Sequence, residues 1–111
     1  MNENFNDRLG MRPGDDGTIV LDTRPEHQVM PGTIHFAVLT TLAEVSAAGA
    51  VGGPVVPTNV NVHLLRRAEP GRLVGKGILL KRGRRLAFAE GEVHQNGRLV
   101  AKASVQFAVM G

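Results

Sequence analysis

The sequence predicts an α+β domain in which an antiparallel β-sheet of about five to six strands wraps around one long central α-helix. Three observations lead to this prediction. An apolar run at residues 34–48 has the length of a buried helix, several later segments have the composition of strands, and turn residues separate these segments. At 111 residues, the chain has room for a single domain spanning residues 1–111.

The first strand and the helix lie in the N-terminal half. Residues 18–24 are rich in β-branched side chains and follow a turn that contains glycine, which predicts a strand. A loop with two prolines leads to Thr33, a candidate N-cap for a helix of about four to five turns over residues 34–48. Gly49 and the Gly-Gly-Pro sequence at 52–54 end this helix. Because the helix is apolar on nearly every side, we expect other structure to surround it.

Four further strands are expected after the helix. Residues 59–65 alternate between apolar and polar side chains, which is typical of a strand with one polar face. Residues 73–81, 86–94 and 98–107 follow, separated by turn sequences that contain glycine. The last two strands are joined by Asn96-Gly97, which is a strong hairpin signal. The last three strands therefore form a meander.

A second copy of the chain is the expected partner. A sheet on one side of an apolar helix leaves part of both unsheltered, and a domain of this size buries only about two-thirds of its unfolded surface. Pairing of two copies would cover the remainder. We therefore expect self-association as a dimer or tetramer.

The composition excludes several classes of function. The chain has no cysteine, which excludes disulfides, thiolate metal sites and a cysteine nucleophile. His27 and His94 have no second ligand at a spacing typical of metal sites, so neither a metal ion nor another cofactor is expected. No secretory signal is visible, and no run of about 18 uncharged apolar residues is present. We therefore expect a cytoplasmic protein that does not span a membrane.

The charge favours a small phosphorylated ligand over a nucleic acid. The formal net charge is +3, and the basic residues concentrate in two segments of the C-terminal half. However, the aromatic residues amount to four phenylalanines, too few for a platform on which bases stack. A nucleic-acid module therefore remains only a distant alternative.

Several stretches together resemble one family. They are residues 31–44 (PGTIHFAVLTTLAE), 59–71 (NVNVHLLRRAEPG), 81–88 (KRGRRLAF) and 96–101 (NGRLVA), with Leu9-Gly-Met11 before them. In order and spacing they are similar to the hotdog-fold acyl-coenzyme A thioesterases of the phenylacetate-degradation type. The resemblance implies a hotdog fold and hydrolysis of an acyl-coenzyme A thioester, with coenzyme A as part of the substrate.

The chain departs from the family pattern at three positions. The family has two glycines after the helix-start histidine, where this chain has Phe36 and Ala37, and a polar residue, often asparagine, where this chain has Val29. Val29 and Phe36 favour an alternative, a non-catalytic hotdog protein that binds an acyl-coenzyme A or an acyl-carrier thioester. A second alternative is a dehydratase of the same fold, for which only His35 or His63 could serve as base.

Glu44 is the candidate catalytic acid. It lies among apolar helix residues, and such surroundings raise a carboxyl pKa, as a general base requires. Glu44 stands nine residues after His35, where the family most often has aspartate. The resemblance also implies that the backbone N–H of Phe36 binds the oxyanion, beside His35. Alternatively, Glu44 faces solvent or bonds Thr40 or Thr41.

Further candidates would contact coenzyme A. Thr58 and His63 occupy the strand after the helix, where related thioesterases carry a hydroxyl or a histidine at nearby positions. Guanidinium groups at the expected turns could clamp the phosphates, or could simply form a solvated surface. These arginines are Arg66, Arg67, Arg82, Arg84 and Arg85. The acyl group is not defined by the sequence.

Overall fold

The computed structural model describes residues 3–111 of the chain. Its elements, in chain order, are α1 (Phe5–Leu9), β1 (Met11–Pro13), β2 (Ile19–Asp22), β3 (Gln28–Met30), β4 (Thr33–Ile34), α2 (Phe36–Val51), β5 (Val55–Leu64), β6 (Arg72–Arg82), β7 (Leu86–Gln95) and β8 (Arg98–Val109). Two short 3-10 helices occupy Asp15–Gly17 and Pro25–His27. None of the helices at residues 3–111 is long and apolar enough to cross a membrane.

The main sheet has six strands in the order β1–β2–β6–β7–β8–β5, and every neighbouring pair is antiparallel. Helix α2 packs on one face of this sheet, chiefly on β6 and β7. This confirms the predicted fold class. The meander of β6, β7 and β8 is also as expected. At its last turn Asn96 and Gly97 have φ values of 52° and 77°, as a two-residue hairpin loop requires.

Three glycines allow the helix to lie close to the sheet. A Cβ atom at Gly77 would collide with the carbonyl oxygen of Ser46, and one at Gly91 would collide with that of Ala43. Gly75 similarly lies against the Ser46 hydroxyl. Glycine in a strand often marks a place where another backbone approaches closely, and these three provide the surface on which the backbone of α2 rests.

The helix begins later than the sequence predicted. Thr33 and Ile34 instead form the short strand β4, which pairs with β3, and the Ile34 N–H also donates to the Ala68 carbonyl at 2.9 Å. The N-cap of α2 is therefore His35, not Thr33. At the other end, Gly49 does not terminate the helix but lies inside it, and the helix continues to Val51.

Two strand predictions also need correction. Strand β5 begins at Val55, four residues earlier than expected, and it tolerates Pro57 because it is an edge strand with a register shift beside that residue. The short strands β1, β3 and β4 have only two or three residues each and carry no readable alternation. The expected strand at 18–24 is the shorter β2.

The expectation that other structure surrounds α2 holds on one side only. Leu42, Ala43 and Ala47 are fully buried against the sheet. On the opposite side, Ala37 is exposed and Glu44 is partly exposed. The outer edge of β5 is likewise unpaired within the described chain. One face of the helix and one edge of the sheet therefore remain uncovered in a single copy.

Candidate active site

Glu44 is a carboxylate without a partner. Its side chain is half-buried on α2, and this burial raises the pKa of the carboxyl above its usual value. Among the described residues no hydrogen bond or ion pair to Glu44 is found, and the Thr41 hydroxyl instead donates to the Ala37 carbonyl at 2.8 Å. Glu44 is thus neither bonded to Thr41 nor fully solvated, and its charge remains available for chemistry.

The start of α2 presents a free N–H group. The Ala37 N–H donates to Nδ1 of the His35 ring at 2.9 Å, and the Val38 N–H donates to the His35 carbonyl at 3.0 Å. Within residues 3–111 the Phe36 N–H has no acceptor. Because the positive end of the helix dipole lies here, this N–H is suited to a negatively charged oxygen.

The rings beside this N–H are placed by the cap. The Phe36 ring is 58% exposed and stacks on the His35 ring with centroids 4.7 Å apart. Since Nδ1 of His35 already accepts a hydrogen bond, only Nε2 of that ring can face a ligand. His35 is therefore primarily the residue that shapes the helix start.

Phe36 and Glu44 are too far apart to act on one bond within one chain. They are eight residues apart on the same helix, which corresponds to about 12 Å along its axis at 1.5 Å per residue. A catalytic base and an oxyanion donor must both lie within about 3 Å of the same reacting group. Within a single copy, Phe36 and Glu44 therefore cannot act together on one reacting group.

Two adjoining cavities lie beside the helix start. The first, which we call the helix-start groove, has a volume of about 310 Å³ and is lined chiefly by apolar residues that include Phe36, Leu39, Leu64 and Leu65. It shares Arg66 and Arg67 with the second, larger cavity.

This second cavity, the basic cleft, has a volume of about 690 Å³. It is lined by Arg66, Arg67, Glu69, Gln95, Asn96, Arg98 and Val100. The Arg67 guanidinium lies 3.8 Å from Glu69, and the buried Gln95 amide holds the Glu69 backbone through hydrogen bonds of 2.9 and 2.7 Å. Three guanidinium groups outweigh the one carboxylate, so the cleft carries an excess of positive charge that suits a phosphate.

A third cavity, the hairpin pocket, lies between the β1–β2 hairpin and the C-terminal half of α2. It has a volume of about 340 Å³ and is mainly apolar, with Met11, Ile19, Val45 and Gly49 in its lining. A Cβ atom at Gly49 would meet nothing within 4 Å. This pocket was not predicted from the sequence, although a glycine inside an otherwise good helix is a signal for it.

The predicted arginines divide between two ends of the sheet. Arg82, Arg84 and Arg85 lie at the β6–β7 turn, where Leu86 opposes Ala108 and Val55 opposes Val109. Arg66 and Arg67 follow the other end of the ten-residue strand β5. At roughly 3.3 Å per residue the strand separates the two sets by about 30 Å, so one chain does not bring them together.

The remaining candidate side chains lie on strands, where they bond neighbouring strand residues or face solvent. The Thr58 hydroxyl donates to the Gln106 carbonyl at 3.2 Å and accepts from the Gln106 amide at 3.1 Å. His63 is exposed on β5 opposite Lys102. His94 lies 2.9 Å from Glu92, and no three His, Cys, Asp or Glu side chains within residues 3–111 are grouped to hold a metal ion.

Comparison with solved structures identifies the fold. The phenylacetic acid degradation protein PaaI of Thermus thermophilus, in a mutant form, is 25% identical, covers 97% of this chain and 100% of its own, and superposes with a TM-score of 0.85. A candidate thioesterase related to phenylacetic acid degradation, from Ralstonia eutropha, is 26% identical over 94% of this chain and 88% of its own, with a TM-score of 0.81.

A third structure, from Bacillus halodurans, was solved with CoA. It is 16% identical over 99% of this chain and 78% of its own, with a TM-score of 0.85, and supports the fold alone. No family model and no curated protein matches the sequence. The likeness to solved structures nevertheless confirms the hotdog fold and the predicted resemblance to thioesterases of the phenylacetate-degradation type.

Proposed function

We propose that this chain, a hotdog-fold protein of the phenylacetate-degradation type, hydrolyses acyl-coenzyme A thioesters with Glu44 as general base or nucleophile. The observation that carries the proposal is the half-buried Glu44 carboxylate, which has a raised pKa and no partner among the described residues. A carboxylate held in this way is suited to accept a proton from water near neutral pH. Coenzyme A enters as part of the substrate, and the reaction requires no further cofactor.

The reaction can follow two routes with the same products. As a base, Glu44 takes a proton from a water molecule whose oxygen attacks the thioester carbonyl. As a nucleophile, it attacks the carbonyl itself, and water then cleaves the resulting anhydride. In both routes the carbonyl oxygen becomes negative and the Phe36 N–H stabilises it. The C–S bond breaks, the coenzyme A sulfur takes up a proton, and a free acid is released.

The complete site is formed by two copies of the chain. About 12 Å of helix separates Phe36 from Glu44 within a copy, so the two cannot act on one bond there. In the proposed site, Phe36 of one copy therefore meets Glu44 of the other. The unpaired edge of β5, with Val56 and Val60 exposed beside it, is a template for antiparallel pairing of two copies. Such pairing places the β6–β7 turn of one copy near Arg66 of the other.

A tetramer would use the outer face of the sheet. Leu80 is 58% exposed and Phe88 36% exposed there. They line one cavity with Asn59 and Asn61 of β5, so this surface is continuous with the edge that would join the dimer. We propose a dimer as the unit that completes the site, and pairing of dimers through this face.

The cavities provide a path for the substrate. The acyl group fits the hairpin pocket, whose lining includes Val45, the residue after Glu44, because the pocket is apolar and Gly49 leaves it open. The pantetheine portion fits the helix-start groove of the copy that provides Phe36. The nucleotide phosphates then reach the basic cleft, where Arg66, Arg67 and Arg98 can bind them.

The test is thiol release from a panel of acyl-coenzyme A esters. We expect the native protein to release thiol from at least one ester, and Glu44→Ala and Glu44→Gln to lose roughly a hundredfold or more in kcat. Glu3→Gln, at an exposed position near the N-terminus, is the matched control and should retain full activity. Equal activity of Glu44→Gln and the native protein would refute the role of Glu44.

Phe36 supports one alternative, a thioester-binding protein without hydrolytic activity. Its exposed ring lies at the entrance of the helix-start groove, where a glycine would leave the N–H open. Tight binding of the esters without thiol release, by both the native protein and Glu44→Gln, would favour this alternative. The dehydratase alternative requires an acid beside His35 or His63, and within the described chain His35 bonds only backbone groups.

A further inference from the structure

A second histidine lies buried just before the start of α2. His27 is 5% exposed and ends the short helix Pro25–His27. Nδ1 of its ring accepts the N–H of Arg24 at 3.0 Å, and its own N–H donates to the Arg24 carbonyl at 2.9 Å. The bond from the Arg24 N–H is one half of a capping box, in which the side chain at the third helical position reaches back to the N-cap N–H.

His27 is also bonded directly to the start of α2. Its carbonyl accepts the N–H of His35 at 2.8 Å, and Nδ1 of His35 then accepts the N–H of Ala37. The chain of hydrogen bonds runs from Arg24 through His27 and His35 to the first turn of the helix. Phe36, with its free N–H, lies between the last two members of this chain.

We propose that His27 is a positioning residue, whose neutral imidazole fixes the turn before α2 and thereby aims the Phe36 N–H at the substrate. The inference rests on the proposed function through the role of Phe36. A displacement of about 1 Å at the oxyanion donor costs a large part of its effect, so a residue that fixes the helix start controls kcat without touching the substrate.

The bond from Arg24 requires Nδ1 of His27 to be unprotonated. Protonation would place a donor opposite the Arg24 N–H and add a positive charge near the Arg24 guanidinium, whereas Glu26 favours that charge. Burial is the largest influence and lowers the pKa of His27 below its usual 6.5. His35, the titratable group at the adjoining helix start, also uses Nδ1 as an acceptor.

The matched pair of variants is His27→Gln and His27→Leu. Glutamine is the usual residue for this position of a capping box and can accept from the Arg24 N–H, but it does not titrate. Leucine fills the space without an acceptor. We expect His27→Leu to lose about tenfold in kcat with KM unchanged, and His27→Gln to restore kcat. His94→Gln, on the sheet, is the control and should behave as the native protein.

The pH profile separates positioning from general stability. In the native protein kcat should fall below pH 6.5 as His27 gains a proton, in addition to the titration of Glu44, and His27→Gln should lose the part due to His27. Identical kcat and pH profiles for all three proteins would overturn the inference. If His27→Leu does not fold, the profile of His27→Gln still decides.

A readout independent of catalysis keeps the two proposals distinct. Amide hydrogen exchange at Ala37, relative to its intrinsic rate, should accelerate below pH 6.5 in the native protein and less so in His27→Gln. If no ester is hydrolysed but this difference is present, the proposed function fails while the structural role of His27 stands. If thiol is released and neither exchange nor kcat depends on His27, only the inference about His27 fails.

Discussion

The two halves of α2 differ in how their polar groups are satisfied. At its start, histidine rings and carbonyls bond nearly every backbone N–H and leave that of Phe36 free. In the C-terminal half, Glu44 has no partner among residues 3–111, and Gly49 borders an apolar pocket. The first region has the positive end of the helix dipole, and the second has an unpaired carboxylate and, at Val45 and Gly49, an apolar cavity. The distance between the two regions is the reason that the proposed site needs residues from two copies.

The largest expected effect on kcat comes from two variants, one that removes the Phe36 N–H and one that removes the Glu44 carboxylate. Phe36→Pro removes the N–H but suits the first helical position, and the extended ψ of 138° at His35 is compatible with a following proline. We expect Phe36→Pro and Glu44→Ala each to lose about a hundredfold in kcat. After the two variants are mixed under conditions that exchange subunits, about a quarter of native activity should return, because half of the dimers hold one intact site.

No recovery after confirmed subunit exchange would show that the two residues do not meet across copies. The controls are each variant exchanged with itself, which should remain inactive. Mass spectrometry of the mixture should verify that mixed dimers form.

The next effect concerns the hairpin pocket. Gly49→Leu should fill the pocket and reduce kcat/KM for esters with bulky acyl groups by about tenfold or more relative to acetyl-coenzyme A. The same change should raise the free energy of unfolding by up to about 1 kcal/mol, because leucine favours the helix over glycine. Gly49→Ala is the control for helix propensity and should leave the preference between esters nearly unchanged. An unaltered preference in Gly49→Leu would place the acyl group elsewhere.

A smaller effect is expected at the basic cleft. Arg98→Gln should raise KM for an acyl-coenzyme A several-fold and leave kcat unchanged, because the cleft binds the nucleotide equally in the ground and transition states. The corresponding acyl-pantetheine ester, which has no nucleotide, provides the control, and its KM should not change. An equal effect on both esters would show that Arg98 does not bind the phosphates.

The smallest effect is on stability and has the opposite direction to the effect on activity. Because the pKa of Glu44 is raised, its charged form is less favourable in the folded protein than in the unfolded chain at pH values above the usual 4.5. Glu44→Gln should therefore slightly increase the free energy of unfolding at pH 7, since solvent screens much of the effect at this half-exposed position. The difference should disappear as the pH falls toward 4. Urea unfolding at both pH values would measure it, and a loss of stability at pH 7 would contradict it.

The two ends of α2 also differ in how far the sequence predicts them, as do the other elements of the fold. Long elements with strong patterns, such as α2 and the Asn96-Gly97 hairpin, were predictable, because periodicity and turn residues determine them locally. The helix start was not, because a long-range hydrogen bond from Ile34 to Ala68 overrides the local capping preference of Thr33. The roles proposed for Glu44 and the Phe36 N–H rest on the apolar surroundings of the acid, on the position of the helix start and on a resemblance in spacing, and they remain predictions.

The arginines show a second limit of sequence reasoning. The sequence grouped five arginines as one candidate set, namely Arg66, Arg67, Arg82, Arg84 and Arg85. It did not show that the full length of strand β5 lies between the two parts of this set. Arg98 was missed, since only the β7–β8 hairpin brings it to the cleft. Both points concern distance in space, which a local sequence pattern does not encode.

The glycines under α2 have a consequence for how the site can vary in evolution. Gly77 and Gly91 are cross-strand partners, and the Gly91 Cα faces the carbonyl of Ala43, the residue before Glu44. Any side chain at position 91 would lift the helix and carry the carboxylate with it. The distance of Glu44 from the sheet therefore depends partly on the absence of a Cβ atom at Gly91 in β7. Substitutions that leave every proposed catalytic group intact could thereby retune the pKa of this acid.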